Sequence, residues 1–406
     1  MFTFTRHLLS RGLLLLFLSL PYHGLTQLTD GCVDAGFGVD GDVYANVGFF
    51  GGATGNRAAD WFESSLWFGG IKGIIDTSRA PVLRLNLQVG RNIAFAKGPA
   101  FVPNSVVDGF YVEDAIYVRD YYGSFGESDQ TTFTAAASNG ANPADWSTGV
   151  NGLSPERDIV DLYGHLRRDG STAGDSLWYF LGASTVGTAG VRYLDFELYQ
   201  ENVFYEAGTG FSDGGPDEGH TAWTFNGDGS INRPGDLTVV VDYSPSLTPQ
   251  VALRIWVSRS DFNTVTPQNF SFGAAFDGST PTSTYGYAEI ALPASGLGCG
   301  TANYVSGPVA NSQSPAPPWG TVNSSGAFSD YYDQYQLIEV GINLTALGLD
   351  VGTDLVWNPC DVPFSKVVGK SRSAAAFTAP LIDFTGPYPF YNTVPIVGSI
   401  VGDTLR

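Results

Sequence analysis

Apolar and polar side chains alternate with a period of two along most of the chain. Leu83-Arg84-Leu85-Asn86-Leu87-Gln88-Val89 sets four apolar residues on one face and polar groups on the other, the pattern of a half-buried strand. Ile338, Val340, Ile342 and Leu344 repeat it opposite Glu339 and Asn343. Phe110–Arg119, Leu177–Gly182, Tyr193–Gln200, Leu237–Tyr243, Val251–Ser258, Tyr285–Leu292 and Phe364–Lys370 also read as strands. Clusters of Gly, Asn, Asp and Pro separate them, and Asn226-Gly227 is a hairpin turn signal. One-sided burial punctuated by turns predicts antiparallel sheets packed face to face, not βαβ units.

Helical periodicity is scarce. Ser154–Leu166 begins like a helix, with Ser154 able to cap, Pro155 in the first turn and Glu156 and Asp158 at the positive end. Gly164 interrupts it, and Ile159, Tyr163 and His165 are poor or middling helix formers, so a strand entering a turn at Asp169-Gly170 is preferred. A short helical turn is expected at Thr345–Leu349. The expected organisation is a signal peptide over 1–26 and an N-terminal strand and loop segment over 27–80 that joins the main domain. An all-β, antiparallel, jelly-roll-like β-sandwich with long loops follows over 81–385, then a tail over 386–406.

The start of the chain sets the compartment. Arg6 and Arg11 precede the greasy run Leu13–Leu20, and a polar exit follows near Thr26, the parts of a secretory signal. The run is too short for a bilayer, which needs about 20 apolar residues, and no other stretch is long enough, so no transmembrane segment is expected. The protein is therefore expected to be secreted or held at the cell surface. Among 406 residues, 40 acids face 20 bases for a net charge of -20, which excludes nucleic acid as a main partner. An apolar fraction of 43% excludes wholesale disorder. Export also favours oxidised thiols, and the three cysteines imply one bridge and one leftover. Cys299 and Cys360 lie in loop-like settings of the later half, whereas Cys32 is near the processed N-terminus. That favours Cys299 with Cys360, although spacing alone leaves the other pairings open.

The succession NPADW, SPERDIVDLYGHLRRDG, DSLWYFLGAS and RYLDFELYQ runs through residues 142–200. GPDEGHTAW, RPGDLTVVVDY, VALRIWVS, EVGINLTALGL and KSRSAAAFTAPLIDF follow in order. It resembles a group of exported, cell-surface adhesin-like proteins of gliding and marine Bacteroidetes-type bacteria, in which a similar region fronts large repeat-bearing chains. A looser likeness reaches wall-attached surface proteins of other bacteria. The resemblance covers most of residues 80–385 and implies a jelly-roll-like sandwich with a surface role, but carries over no catalytic or binding residues. In the residues up to Arg406 no repeat array or sorting domain like those of the large members is evident.

Four features bear on chemistry. In DFELYQE, Asp195, Glu197 and Glu201 share one strand face, and paired carboxylates about 5.5 Å apart are what a retaining glycosidase needs. The order of acids does not match the Glu-x-Asp-x-(x-)Glu motif of laminarinase-like sandwich enzymes, so a solvated outer face is the plainer reading. The loop Ser212–His220 offers Asp213, Asp217 and Glu218 as hard oxygen ligands for a Ca²⁺ cofactor. NGDGSIN (226–232) is an incomplete calcium-loop pattern and reads better as a hairpin turn. Of the aromatics, Trp319, Tyr331 and Tyr332 are the surface candidates for stacking on a ligand, while Trp178, Trp223 and Trp256 are expected in the core. No zinc motif, nucleophile elbow or phosphate loop occurs. The favoured expectation is a non-enzymatic exported protein that binds glycans or extracellular and surface proteins. The alternative is a carbohydrate-active hydrolase using the DFELYQE carboxylates, and a third is a purely structural assembly module.

Overall fold

The computed structural model describes residues 31–45, 58–63, 73–91, 93–122, 128–134, 137–292, 304–350 and 364–390. The alternating runs form strands almost where their periodicity places them: Phe110–Arg119, Leu177–Thr185, Arg192–Tyr199, Leu237–Ser244, Leu247–Ser258, Tyr285–Ala291, Leu337–Asn343 and Lys366–Arg372. Ile159–Arg168 is a strand too, because the Ile, Val and Tyr of IVDLYGHLRR suit a pleated surface and Gly164 weakens a helix.

Among the described residues these strands assemble into two large antiparallel sheets of nine and seven strands. In the larger, Arg192–Tyr199 lies centrally between Leu237–Ser244 and Lys366–Arg372. In the smaller, Ile159–Arg168 lies between Phe110–Arg119 and Leu177–Thr185. Period-two alternation turns Leu194, Phe196, Leu198, Val239, Val241, Leu253 and Ile255 of one sheet against Leu162, Leu166, Leu181, Ile338, Val340 and Ile342 of the other. Their shared core makes the molecule an all-β sandwich.

The outer faces of both sheets are also covered. The pair Cys32–Asp34 and Phe37–Val39 lies over the smaller sheet, with the Phe37 ring 4.6 Å from Phe180 and 4.9 Å from Trp61. Cys32 is buried there and disulfide-bonded, which overturns the expectation of a free thiol on a mobile N-terminus. Cys299 and Cys360, the expected pair, lie outside the described residues. The expected tail also begins too early. Leu381–Pro389 is one strand, Tyr388 pairs with Val367, and Phe390 is buried in the inter-sheet core.

One alternating run is not a strand. Ala80–Gln88 is an α-helix with Pro81 in its first turn, where a missing N–H costs nothing. Gly90 ends it at φ 74°, donating its N–H to the Leu87 carbonyl. Leu, Arg and Gln are good helix formers, and winding sends alternate leucines to different sides: Leu87 is 7% exposed and Leu85 58%. Thr345–Leu349 is a hydrogen-bonded turn, closed by Gly348 N to Thr345 O and Leu349 N to Leu344 O.

Candidate functional site

The carboxylates of DFELYQE do lie on the face of Arg192–Tyr199 turned away from the inter-sheet core, but that face is not solvated. Asp195 is 1% exposed and Glu197 fully buried. Segments 137–146, 212–223 and 373–377 close over them through Asn139, Trp146, His220 and Phe377. Glu201, past the strand end, is exposed, so the three acids line no common groove.

The neighbouring strand neutralises both acids on a diagonal. Lys370 is registered opposite Asp195 yet reaches Glu197, and Arg372, two residues on, bonds Asp195 through Nε at 2.9 and 3.0 Å. Arg372 also donates to Asp242 at 2.7 Å and to the carbonyls of Ala374, Ala375 and Ala376. Asn139 joins the two pairs, accepting from Lys370 at 2.6 Å and donating to Asp195 at 2.6 Å. Tyr287 donates its hydroxyl to Glu197 at 2.5 Å, and the Lys370 ammonium sits 4.7 Å over the Trp146 ring. Burial alone would raise the Glu197 pKa, but Lys370 and His220 beside it, with hydrogen bonds from Lys370 and Tyr287, hold it below the usual carboxylate value.

His220 fills the space beyond Glu197. Its Nδ1 lies 3.3 Å from Asp236 and 3.6 Å from Glu197, and its ring stacks on Tyr199 with centroids 5.6 Å apart. Asp236 accepts the backbone N–H groups of Gln200 and Thr221, yet burial pushes its pKa up to about 6, with His220 opposing the rise. Glycoside hydrolysis needs one carboxyl holding a proton and another ionised, both in reach of a sugar. Here the two strand acids are each ion-paired and sealed from solvent. The arrangement ties three covering segments to one sheet.

A second such knot sits on the smaller sheet. Asp161 accepts hydrogen bonds from Tyr117 at 2.5 Å, Arg119 at 2.7 Å, Tyr332 at 2.6 Å and Ser184 at 2.8 Å. Trp319 donates its indole N–H to Tyr117 at 2.7 Å. Trp319 and Tyr332, expected at the surface, are thus buried polar aromatics, each with a hydrogen-bonding end that finds a partner inside. Tyr331 alone of the three is exposed, at 52%. Trp178, Trp223 and Trp256 are buried as expected.

The acidic loop forms no ligand set. Asp217 accepts from Arg233 at 2.7 Å and from the Ala222 N–H at 2.9 Å, while Asp213 and Glu218 stand exposed beside it. Its backbone turns back on itself, Asp217 N to His220 O and Gly214 N to Gly219 O, and this delivers His220 to the interior. Asn226–Ser230 is a hairpin turn between Thr224–Phe225 and Ile231–Arg233. Carboxylates do meet at ligand-like spacing elsewhere, in Asp40, Asp42 and Asp60 and in Asp129, Asp158 and Asp383. The first group is half legible in VDGDVY as acids two residues apart on a Gly-bearing loop. The second is gathered from across 255 positions of the chain and leaves no local signal. Near the outer edge of the larger sheet lies a recess of about 360 Å³ lined by residues that include Gln268, Asn269, Phe270 and Tyr304, with no charged group among them.

No helix among the described residues is long and apolar enough to cross a membrane. No family model, curated protein or solved structure matches the chain.

Proposed function

We propose that this is an exported, non-enzymatic protein of the cell surface or surroundings, whose jelly-roll-like sandwich serves a binding, adhesion or structural role. The observation that carries the reading is the state of Asp195 and Glu197: both are buried and held by Arg372 and Lys370. A hydrolase that needs them at a sugar would have to unmake the covering layer first. The uncharged recess by Phe270 and Tyr304, which also offers the amides of Gln268 and Asn269, suits a neutral polar ligand such as a glycan.

The experiment screens purified protein on a glycan array and, in parallel, assays reducing-sugar release from β-glucans with wild type and Glu197→Gln. Binding without hydrolysis, weakened by Asn269→Ala with Tyr304→Ala, is the expected result. Sugar release that disappears in Glu197→Gln would replace this reading with the hydrolase.

A further inference from the structure

Four aspartates converge where the two sheets come together at one end of the sandwich. Asp120 follows Phe110–Arg119 and Asp158 precedes Ile159–Arg168, both strands of the smaller sheet. Asp129 opens Asp129–Thr134, and Asp383 lies opposite Thr132 in Leu381–Pro389, both in the larger sheet. Asp120 is 1% exposed and the other three are fully buried. One carboxylate oxygen each from Asp129, Asp158 and Asp383 lies within 4.8 Å of the others. The Asp129 charge bears on Asp120, and those of Asp129, Asp120 and Asp158 bear on Asp383.

Several of the oxygens have donors. Asp383 accepts the N–H of Ile159 at 2.7 Å and of Phe384 at 2.8 Å. Asp129 Oδ1 accepts both the N–H and the hydroxyl of Thr131. Asp129 Oδ2 is buried and accepts no hydrogen bond from an N–H or hydroxyl group, and the Asp383 carboxyl is the acid that Asp129 meets at hydrogen-bonding range. An orphaned oxygen among buried like charges is costly unless a cation or a shared proton meets it.

The oxygens lie close enough together for one cation to meet them all. Oxygens bound to one Ca²⁺ at 2.3–2.6 Å lie at most roughly 5.2 Å apart, so three that are within 4.8 Å of one another can share one ion. Mg²⁺ at 2.0–2.1 Å demands a tighter octahedron and keeps several waters, which a site this buried has little room for. We propose that Asp129, Asp158 and Asp383, with Asp120 behind them, form a buried Ca²⁺ site that clamps the two sheets of the sandwich together.

The test uses the full chain, stripped with EGTA and titrated with CaCl2 against MgCl2 and NaCl at matched ionic strength. Ca²⁺ at a hundredfold excess over its dissociation constant raises the melting temperature by roughly 4 °C beyond the NaCl control. Asp129→Asn with Asp383→Asn loses that gain and one bound Tb³⁺ per chain, read by luminescence sensitised through tyrosines such as Tyr388, which lies near Asp120. In EGTA the same variant melts at or above wild type, because repulsion has been removed without changing shape. Should the double variant fail to fold, Asp129→Asn alone gives the same crossing of the two conditions. A wild type that responds to Ca²⁺ no more than to NaCl, equal stabilisation by Mg²⁺, or a variant that keeps the full response and Tb³⁺ count overturns the site.

Discussion

Lys370 shows how one side chain changes what its neighbours can do. Its ammonium neutralises Glu197, bonds Asn139 and faces Trp146, so a strand that reads as a carboxylate display becomes a closed knot. Buried pairs of this kind add little net stability over apolar packing, but removing one partner strands a charge. Lys370→Met is therefore expected to cost about 3–5 kcal/mol in urea unfolding. Adding Glu197→Leu should recover part of that loss, a coupling that a double-mutant cycle measures. Additive losses would mean that Glu197 and Lys370 stabilise the fold independently. The sequence showed the acids of DFELYQE and the bases of KSR separately; only the pairing of two strands, which brings Lys370 to Glu197 across 173 positions, set them on one diagonal.

Elements form where local pattern and tertiary demand agree, and Ala80–Gln88 is where they part. Alternation predicts a strand with Leu83, Leu85 and Leu87 all inward, whereas the helix leaves Leu85 exposed. Leu85→Glu should accordingly change stability by no more than about 0.5 kcal/mol, as at an ordinary surface site. As a buried strand residue Leu85 would cost several times more, so a loss above about 2 kcal/mol in denaturant unfolding would contradict the helix. The period-two signal misled here because Leu, Arg and Gln suit helices, while Pro81 and Gly90 mark a first turn and an end. Elsewhere Val, Ile and Tyr reinforced the pattern, and strands such as Phe110–Arg119 appear as the sequence places them.

At the scale of the whole molecule, an acidic chain has closed layers over both outer faces of its sandwich and buried many carboxylates. Stability should then run opposite to the usual acid sensitivity over part of the pH range. Asp236 and Asp242 each titrate near pH 6 in the folded state, chiefly because burial disfavours the charge, against 3.8 ordinarily. As pH falls from 7 to 5 the folded protein takes up protons that the unfolded chain does not, so stability rises. Glu197 acts the other way: held below its ordinary 4.5, it contributes stability above that value and loses it as pH falls through its folded pKa. The optimum is expected near pH 5, with a gain of roughly 1 kcal/mol over pH 7 from Asp236. Urea midpoints at pH 7 and 5 check it, and Asp236→Asn should flatten the rise. A steady fall in wild-type stability from pH 7 to 5 would refute the assignment.

The sequence by itself determined the all-β, antiparallel character, because side-chain alternation and turn residues are local properties of a chain. It also showed which faces of strands such as Arg192–Tyr199 would meet in the core. Tertiary structure alone decided what covers the opposite faces. Burial of Trp319 and Tyr332 against Asp161, closure over Asp195 and Glu197, and convergence of Asp120, Asp129, Asp158 and Asp383 each join residues far apart in the chain. A carboxylate's role depends on whether its partner is water, a cation or another carboxylate, and that partner is fixed by packing at long range.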